Sequence, residues 1–386
     1  MKSITQFVIV LIFILFSKQF KAQHGLIRAA SLNVGLESAL SITLFNSLDS
    51  LFEGIDRGKI DTSLIDRSNF NLNFAIMSTL KNYENKDTIK VFYKKQLINL
   101  YPVSDSKYFI TIAYIGNKAN ETGNLSLLLN LIATKAKGNM RFSIPLNYVT
   151  SSWKTKTVGN ITYHFNDNIN IERANIFNKK NTSIAQKLGV KPEKFNFYLC
   201  DNYQQIIRLL GFEYELESNG KIRDGFGVME NTIFSIMNNE DFSHDILHYY
   251  SEKIRTRTRN NTAEEGVAYL WGNAYYTSAN GEMISQKKMV DFLNDYLQKK
   301  PDSDLLEIFT KKPKIYSSLA LEISVKSVIS GVICNEIEKR KGVDGIKTLL
   351  NCGSGDENYF KCVEELIKIN KTNFNEEIKK LVIAFK

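Results

Sequence analysis

The sequence predicts an α+β protein, and three observations carry that prediction. Apolar residues recur at helical spacing near the N-terminus, period-two alternation takes over from about Thr88, and helical spacing dominates again from Asp241 onward. A chain of 386 residues has room for two or three ordinary domains. Its 43% hydrophobic and 24% charged residues are globular usage and exclude a disordered chain. With 5 Pro and 21 Gly there is no collagen-like or linker-dominated architecture either.

The opening MKSITQFVIVLIFILFSKQFKAQ places a lysine before ten uninterrupted apolar residues, Phe7 to Phe16, and then a short polar stretch to Ala22. That run is too short to span a bilayer and fits the core of a secretory signal peptide, residues 1–22. The expected address is secreted or periplasmic, with no integral membrane segment after signal removal. The formal charge is +9, but Lys2, Lys18 and Lys21 lie in this segment, and without them the surplus is +6. No long basic run remains, so nucleic acid is not an expected partner. Four Cys exclude a disulfide-dense scaffold. Cys352 and Cys362, in CGSGDENYFKC, either bridge a loop to a helix start or stay as two thiols.

Residues 23–155 read as a first domain. Leu40, Leu44, Leu48 and Leu51 mark one face of a helix over about Leu36 to Ile55. KVFYKKQLINLYPV, KYFITIAYIG, LSLLLNLIATKAKG and MRFSIPLNYVTSSWKTKTVG then read as strands of a meandering antiparallel sheet. A helix on a curved sheet is similar to the nuclear-transport-factor-2-like (NTF2-like) or cystatin-like shape, a likeness of fold alone. No catalytic constellation is present there.

Residues 156–386 read as a second domain. NITYHFND is a strand, the following helix ends at Gly189, KFNFYLCD is a strand, NYQQIIRLLGF a helix and GFGVMENTIFSIM a third strand. The chain has four His, and two of them, His244 and His248, share the pentapeptide HDILH. Positions i and i+4 of a helix share a face, so both imidazoles can reach one ion. Asp241 or Ser243 is placed to cap that helix. A hydrolytic zinc site needs a third protein ligand and leaves a fourth position open. Glu265, in NTAEEGVA, supplies that ligand after sixteen intervening residues, enough to turn and return antiparallel. The alternative is a capping box between Thr262 and Glu265.

From Gly159 to the end the order of elements resembles the peptidase MA-like family of gluzincin zinc metallopeptidases. NITYHF, the helix to Gly189, KFNFYLCD, GVMENTIFSIM, HDILH and EEGVA follow the family's sequence of elements, and VISGVICNEIEKRKGVDGIKTLL is similar to its helix after the site. The resemblance implies Zn2+ held by His244, His248 and Glu265, Asp245 in the general-base position, and peptide or protein as substrate. It further implies that an edge strand around Val228 to Ile236 holds an extended peptide by strand addition. HDILH departs from the family's HExxH, because Asp245 is one methylene short of the usual Glu. That leaves a catalytically inactive peptidase-fold binding protein of the cell envelope as the alternative. A transition-state donor is expected among Tyr249, Tyr250, Tyr269, Tyr275, Tyr276 and Tyr316. The alternation Lys253 to Arg259 reads as a solvated loop, with steering of acidic substrates as the other reading. Oligomeric state is left open.

Overall fold

The structure, a computed structural model, describes residues 26–29, 32, 36–83, 93–116, 123–220, 225–236, 239–273, 283–320 and 323–385. The expected signal segment, His24, Tyr275 and Tyr276 lie outside them. The protein is mixed α and β with open sheets, and it divides into two compact units, residues 1–151 with 207–221, and residues 152–206 with 222–386. Among the described residues no helix is long and apolar enough to cross a membrane.

In the first unit, β1 (Ile27–Arg28) precedes helix α1 (Ser38–Arg57), whose buried stripe runs through Leu44, Leu48, Leu51 and Ile55. A second helix, α2 (Phe70–Thr79), follows. Strands β2 (Tyr93–Ser104), β3 (Lys107–Gly116), β4 (Asn124–Lys135) and β5 (Met140–Ser143) form the antiparallel meander. The Ser47 hydroxyl of α1 accepts the Met140 amide of β5, fixing the helix against the sheet. The long stretch expected to be one strand after Met140 is broken. Pro145, with φ −75°, opens the helical turn α3 (Leu146–Val149), and extended backbone resumes only at Lys154.

The second unit starts with β6 (Lys154–Val158), β7 (Ile161–Phe165), α4 (Ile171–Leu188) and β8 (Phe195–Cys200). β7 and β8 pair in parallel, which the intervening helix makes possible. Asn170 caps α4 by accepting the Arg173 amide, and Gly189 closes it at φ 78°. After the short helix α5 (Tyr203–Leu209) the chain gives the first unit one more strand, β9 (Phe212–Glu215), antiparallel to β4.

The next stretch, expected as a single strand, is a hairpin of β10 (Gly225–Met229) and β11 (Thr232–Ile236). Glu230 and Asn231 both take left-handed backbone, φ 46° and 63°, the requirement of a two-residue hairpin turn. The sheet order is β10-β11-β8-β7-β6, so of this hairpin only β10 lies at an edge, β6 forming the other. β11 is interior, paired with β8 on its other side. One sheet face, with Ile161, Tyr163, Phe195, Phe197 and Ile233, joins a single core with the helices of this unit. Those are α4 and, after the sheet, α6 (Ser243–Ile254), α7 (Asn261–Val267), α8 (Gln286–Lys299), α9 (Leu305–Lys311), α10 (Val325–Leu350), α11 (Asp356–Ile367) and α12 (Phe374–Ile383). α10 is broken at Gly342, φ 65°, and resumes beyond it.

Candidate metal centre

The first turn of α6 is held from both sides. Phe242 packs edge-on against Phe197 of the sheet, and the Tyr163 hydroxyl donates to the Glu240 carbonyl. Asp241 accepts the Ser243 amide, so of the two cap candidates it is Asp241 that satisfies the helix start. Ser243 instead donates its hydroxyl to the Gly272 carbonyl at 2.6 Å. Gly272 ends a π-helical turn, Ala268–Gly272, that passes directly over α6. A Cβ there would stand 2.8 Å from the Ser243 carbonyl oxygen and 2.9 Å from His244 Cα, so only glycine fits.

α7 begins at a cap that sequence reasoning did not single out. Asn260 accepts the Ala263 amide through Oδ1 and donates Nδ2 to the carbonyls of Gly353 and Gly355. Thr262 donates to Asp356 instead of closing a capping box. Glu265 is therefore free of cap duty. Gly266 lets α7 approach α10, since a Cβ there would lie 2.7 Å from Ser330 Cβ.

These two helices bring His244, His248 and Glu265 together. His244 Nε2 and His248 Nε2 are 3.1 Å apart. Each is 3.4 Å from a carboxylate oxygen of Glu265. Donors about 2.0–2.1 Å from a tetrahedral zinc lie about 3.3–3.4 Å from one another. The three side chains thus already hold the spacing of three corners around one ion, and their donor set, two imidazoles and one carboxylate, is one that a metal ion can take.

The ring nitrogens facing away from the centre are also held. Glu264 Oε1 lies 2.8 Å from His248 Nδ1. Burial works to raise the Glu264 pKa, but hydrogen bonds from His248 and Ser251 and the nearby charges of His248 and Arg259 leave it below the ordinary carboxylate range. An ionised carboxylate only accepts, so the 2.8 Å contact with Glu264 calls for a proton on His248 Nδ1 and a lone pair on Nε2 toward the centre, whereas Arg259 Nη2, a donor 3.1 Å from the same Nδ1, calls for the other tautomer. On His244 burial opposes the charged ring, yet Glu265, Asp245 and the backbone carbonyl of Asn273 outweigh it and raise the pKa. Glu265 is likewise held below its ordinary range, its burial outweighed by the two imidazoles and Arg259.

Glu264, the neighbour of Glu265 on α7, carries no sequence signal for its place beside His248. It is 1% exposed and also takes Arg255 at 2.7 Å and Arg259 at 2.9 Å. The stretch read as a solvated loop thus has two of its arginines in ion pairs at the centre. Arg259 reaches Glu265 as well, at 3.1 Å.

The centre opens into a cavity of about 530 Å³, whose walls include Asp245, Tyr269, Lys312, Lys326 and Ser327. Asp245 Oδ2 is shielded from solvent and has no hydrogen-bond partner among the described residues, and burial raises its pKa above the ordinary carboxylate value. Of the tyrosine candidates that the structure describes, only Tyr269 lines this cavity, its ring 5.6 Å from that of His244. Burial pushes its pKa up to about 12. Tyr249, Tyr250 and Tyr316 spend their hydroxyls on Asn231, Asn181 and the Met289 carbonyl.

No family model and no curated protein matches the sequence.

Proposed function

We propose that this protein is an exported zinc-dependent metallopeptidase-like hydrolase of the gluzincin kind, acting on peptide bonds in peptides or proteins. The observation that carries the reading is the mutual spacing of His244 Nε2, His248 Nε2 and the Glu265 carboxylate, 3.1 to 3.4 Å. A zinc ion held there supplies an activated water and polarises a carbonyl beside it. Within this reading Asp245, unpartnered on the cavity wall, accepts the proton of the attacking water and returns it to the leaving amine. Tyr269 donates toward the charge that develops on the carbonyl oxygen. β10, as the edge strand, offers backbone groups to an extended peptide. The first unit, with its helix on an antiparallel sheet, then serves as an NTF2-like or cystatin-like module for binding or dimerisation.

The second reading is a peptidase-fold binding protein of the envelope without turnover. It is favoured by Asp245, whose carboxylate stands about 1.5 Å further back than that of a Glu. A displacement of that size can cost about a hundredfold in rate.

Metal analysis of the chain purified without chelator, beside a Glu265→Ala variant, tests the centre. Close to one zinc per native chain, lost in the variant, is the expected result. No zinc in either after adding it back would overturn the metal-dependent reading.

A further inference from the structure

A second cavity of the same unit, about 690 Å³, is lined by Cys352 and Cys362 together with Arg257, Lys347, Lys361 and Glu365. Cys352 sits in the turn after α10 and Cys362 on α11. Both are free thiols, and they lie close enough for each to shift the other's pKa. The sequence left open whether this pair is bridged. The structure brings both thiols to one cavity, whose lining holds three cations and one carboxylate.

The turn that carries Cys352 is pinned on its other side. Asn351 accepts the backbone amide and the hydroxyl of Thr256, and Asn260 holds the carbonyls of Gly353 and Gly355. Cys352 is thus kept at the cavity while Cys362 is buried beside it, 6% exposed.

We propose that Cys352 and Cys362 are a redox-active dithiol that is closed to a disulfide by exchange with a negatively charged disulfide compound. The Cys352 thiolate attacks one sulfur of the compound, the S–S bond breaks, and the first thiolate leaves. Cys362 then gives its proton to solvent and attacks the Cys352 sulfur of the mixed disulfide, expelling the second thiolate. Two electrons pass from the pair to the compound, and each departing thiolate takes up a proton as a thiol. The order follows from the surroundings. The hydrogen bond from Cys362, against the opposing effect of burial and with Arg257 nearby, lowers the Cys352 pKa. That same hydrogen bond, then burial, pushes Cys362 far up. The lower-pKa thiol is the first nucleophile.

The test treats the reduced, purified chain with oxidised glutathione or, at equal concentration, with cystamine, a cationic disulfide. Remaining thiols are alkylated and peptides mapped by mass. The expected product is a Cys352–Cys362 linked peptide. At low salt it should form about tenfold faster with the anionic reagent, a gap that closes at about 1 M salt. Cys362→Ser should trap the glutathione adduct on Cys352, and Cys352→Ser should leave Cys362 unmodified. Full alkylation of both thiols in the native chain after long exposure would overturn the proposal. So would faster closure with cystamine, or a trapped adduct on Cys362.

Discussion

Glu264→Gln isolates the residue on which the metal reading depends most indirectly. Glu264 Oε1 serves His248 at 2.8 Å and Arg259 at 2.9 Å, while Oε2 serves Arg255 at 2.7 Å. A glutamine has one acceptor oxygen and one NH2 in place of two oxygens. With its oxygen at Oε1, the NH2 faces Arg255, donor against donor. Flipped, it faces the His248 Nδ1 proton and frees the ring to turn. Loss of such a supporting carboxylate lowers metal affinity about 10- to 100-fold, or about 1.4–2.7 kcal/mol. Glu264 is 1% exposed, so removing its charge also leaves Arg255 without its buried partner. Breaking a buried pair costs about 3–5 kcal/mol. At about 2–4 °C per kcal/mol for a unit of this size, the melting temperature should fall by about 6–20 °C. Zinc affinity by chelator competition and calorimetry of the metal-free protein read the two effects separately. A folded variant with native zinc affinity would refute the argument that Glu264 orients His248.

Asp245→Asn should leave zinc content unchanged and abolish hydrolysis of a fluorogenic peptide pool, whereas Asp245→Glu should retain or raise it. Hydrolysis that survives in the Asn variant would remove Asp245 from the base position. Gly266→Ala should overpack the contact with Ser330 and cost about 1–3 kcal/mol, visible as a lower urea midpoint; an unchanged midpoint would show that α7 and α10 can separate freely. His164, stacked on Tyr198 at 4.4 Å, has its pKa lowered by burial, which the Asn196 hydrogen bond only partly offsets. The unfolded chain therefore binds that proton more readily near its ordinary value of about 6.5, and stability falls as pH drops from about 7 to 5. His164→Gln should flatten that part of the urea midpoint against pH, and parallel curves for the two proteins would contradict it.

Local pattern made much of the fold legible. The stripe Leu44, Leu48, Leu51 gave α1, and Asn170 and Gly189 bracket α4 as cap and stop signals do. The alternation at the start of β3, Lys107 to Ile112, is a half-buried period of two, readable without a partner in view. The failures came where one residue decides. Pro145 divides what reads as a continuous strand, and left-handed Glu230 turns one strand into a hairpin although glutamate carries no turn signal. β9 is the other kind of failure. Its four residues pair with β4, far away in sequence, and nothing local says which sheet they join.

The centre divides in the same way. The spacing within HDILH is local, so a helix alone puts the two imidazoles side by side, and EEGVA follows at a distance that one helical return can span. The supporting residues have no such signature. Glu264 differs from Glu265 by one position, some 100° around α7, and that rotation assigns one carboxylate to the corner of the triad and the other to the back of His248. Asn260 reads as an ordinary loop residue until the Gly353–Gly355 turn arrives to accept its amide. A residue whose partner lies ninety positions away contributes nothing to periodicity. The candidate metal ligands are legible because one helix and one return define them, and their supports are hidden because three separate segments must fold before any of them has something to hold.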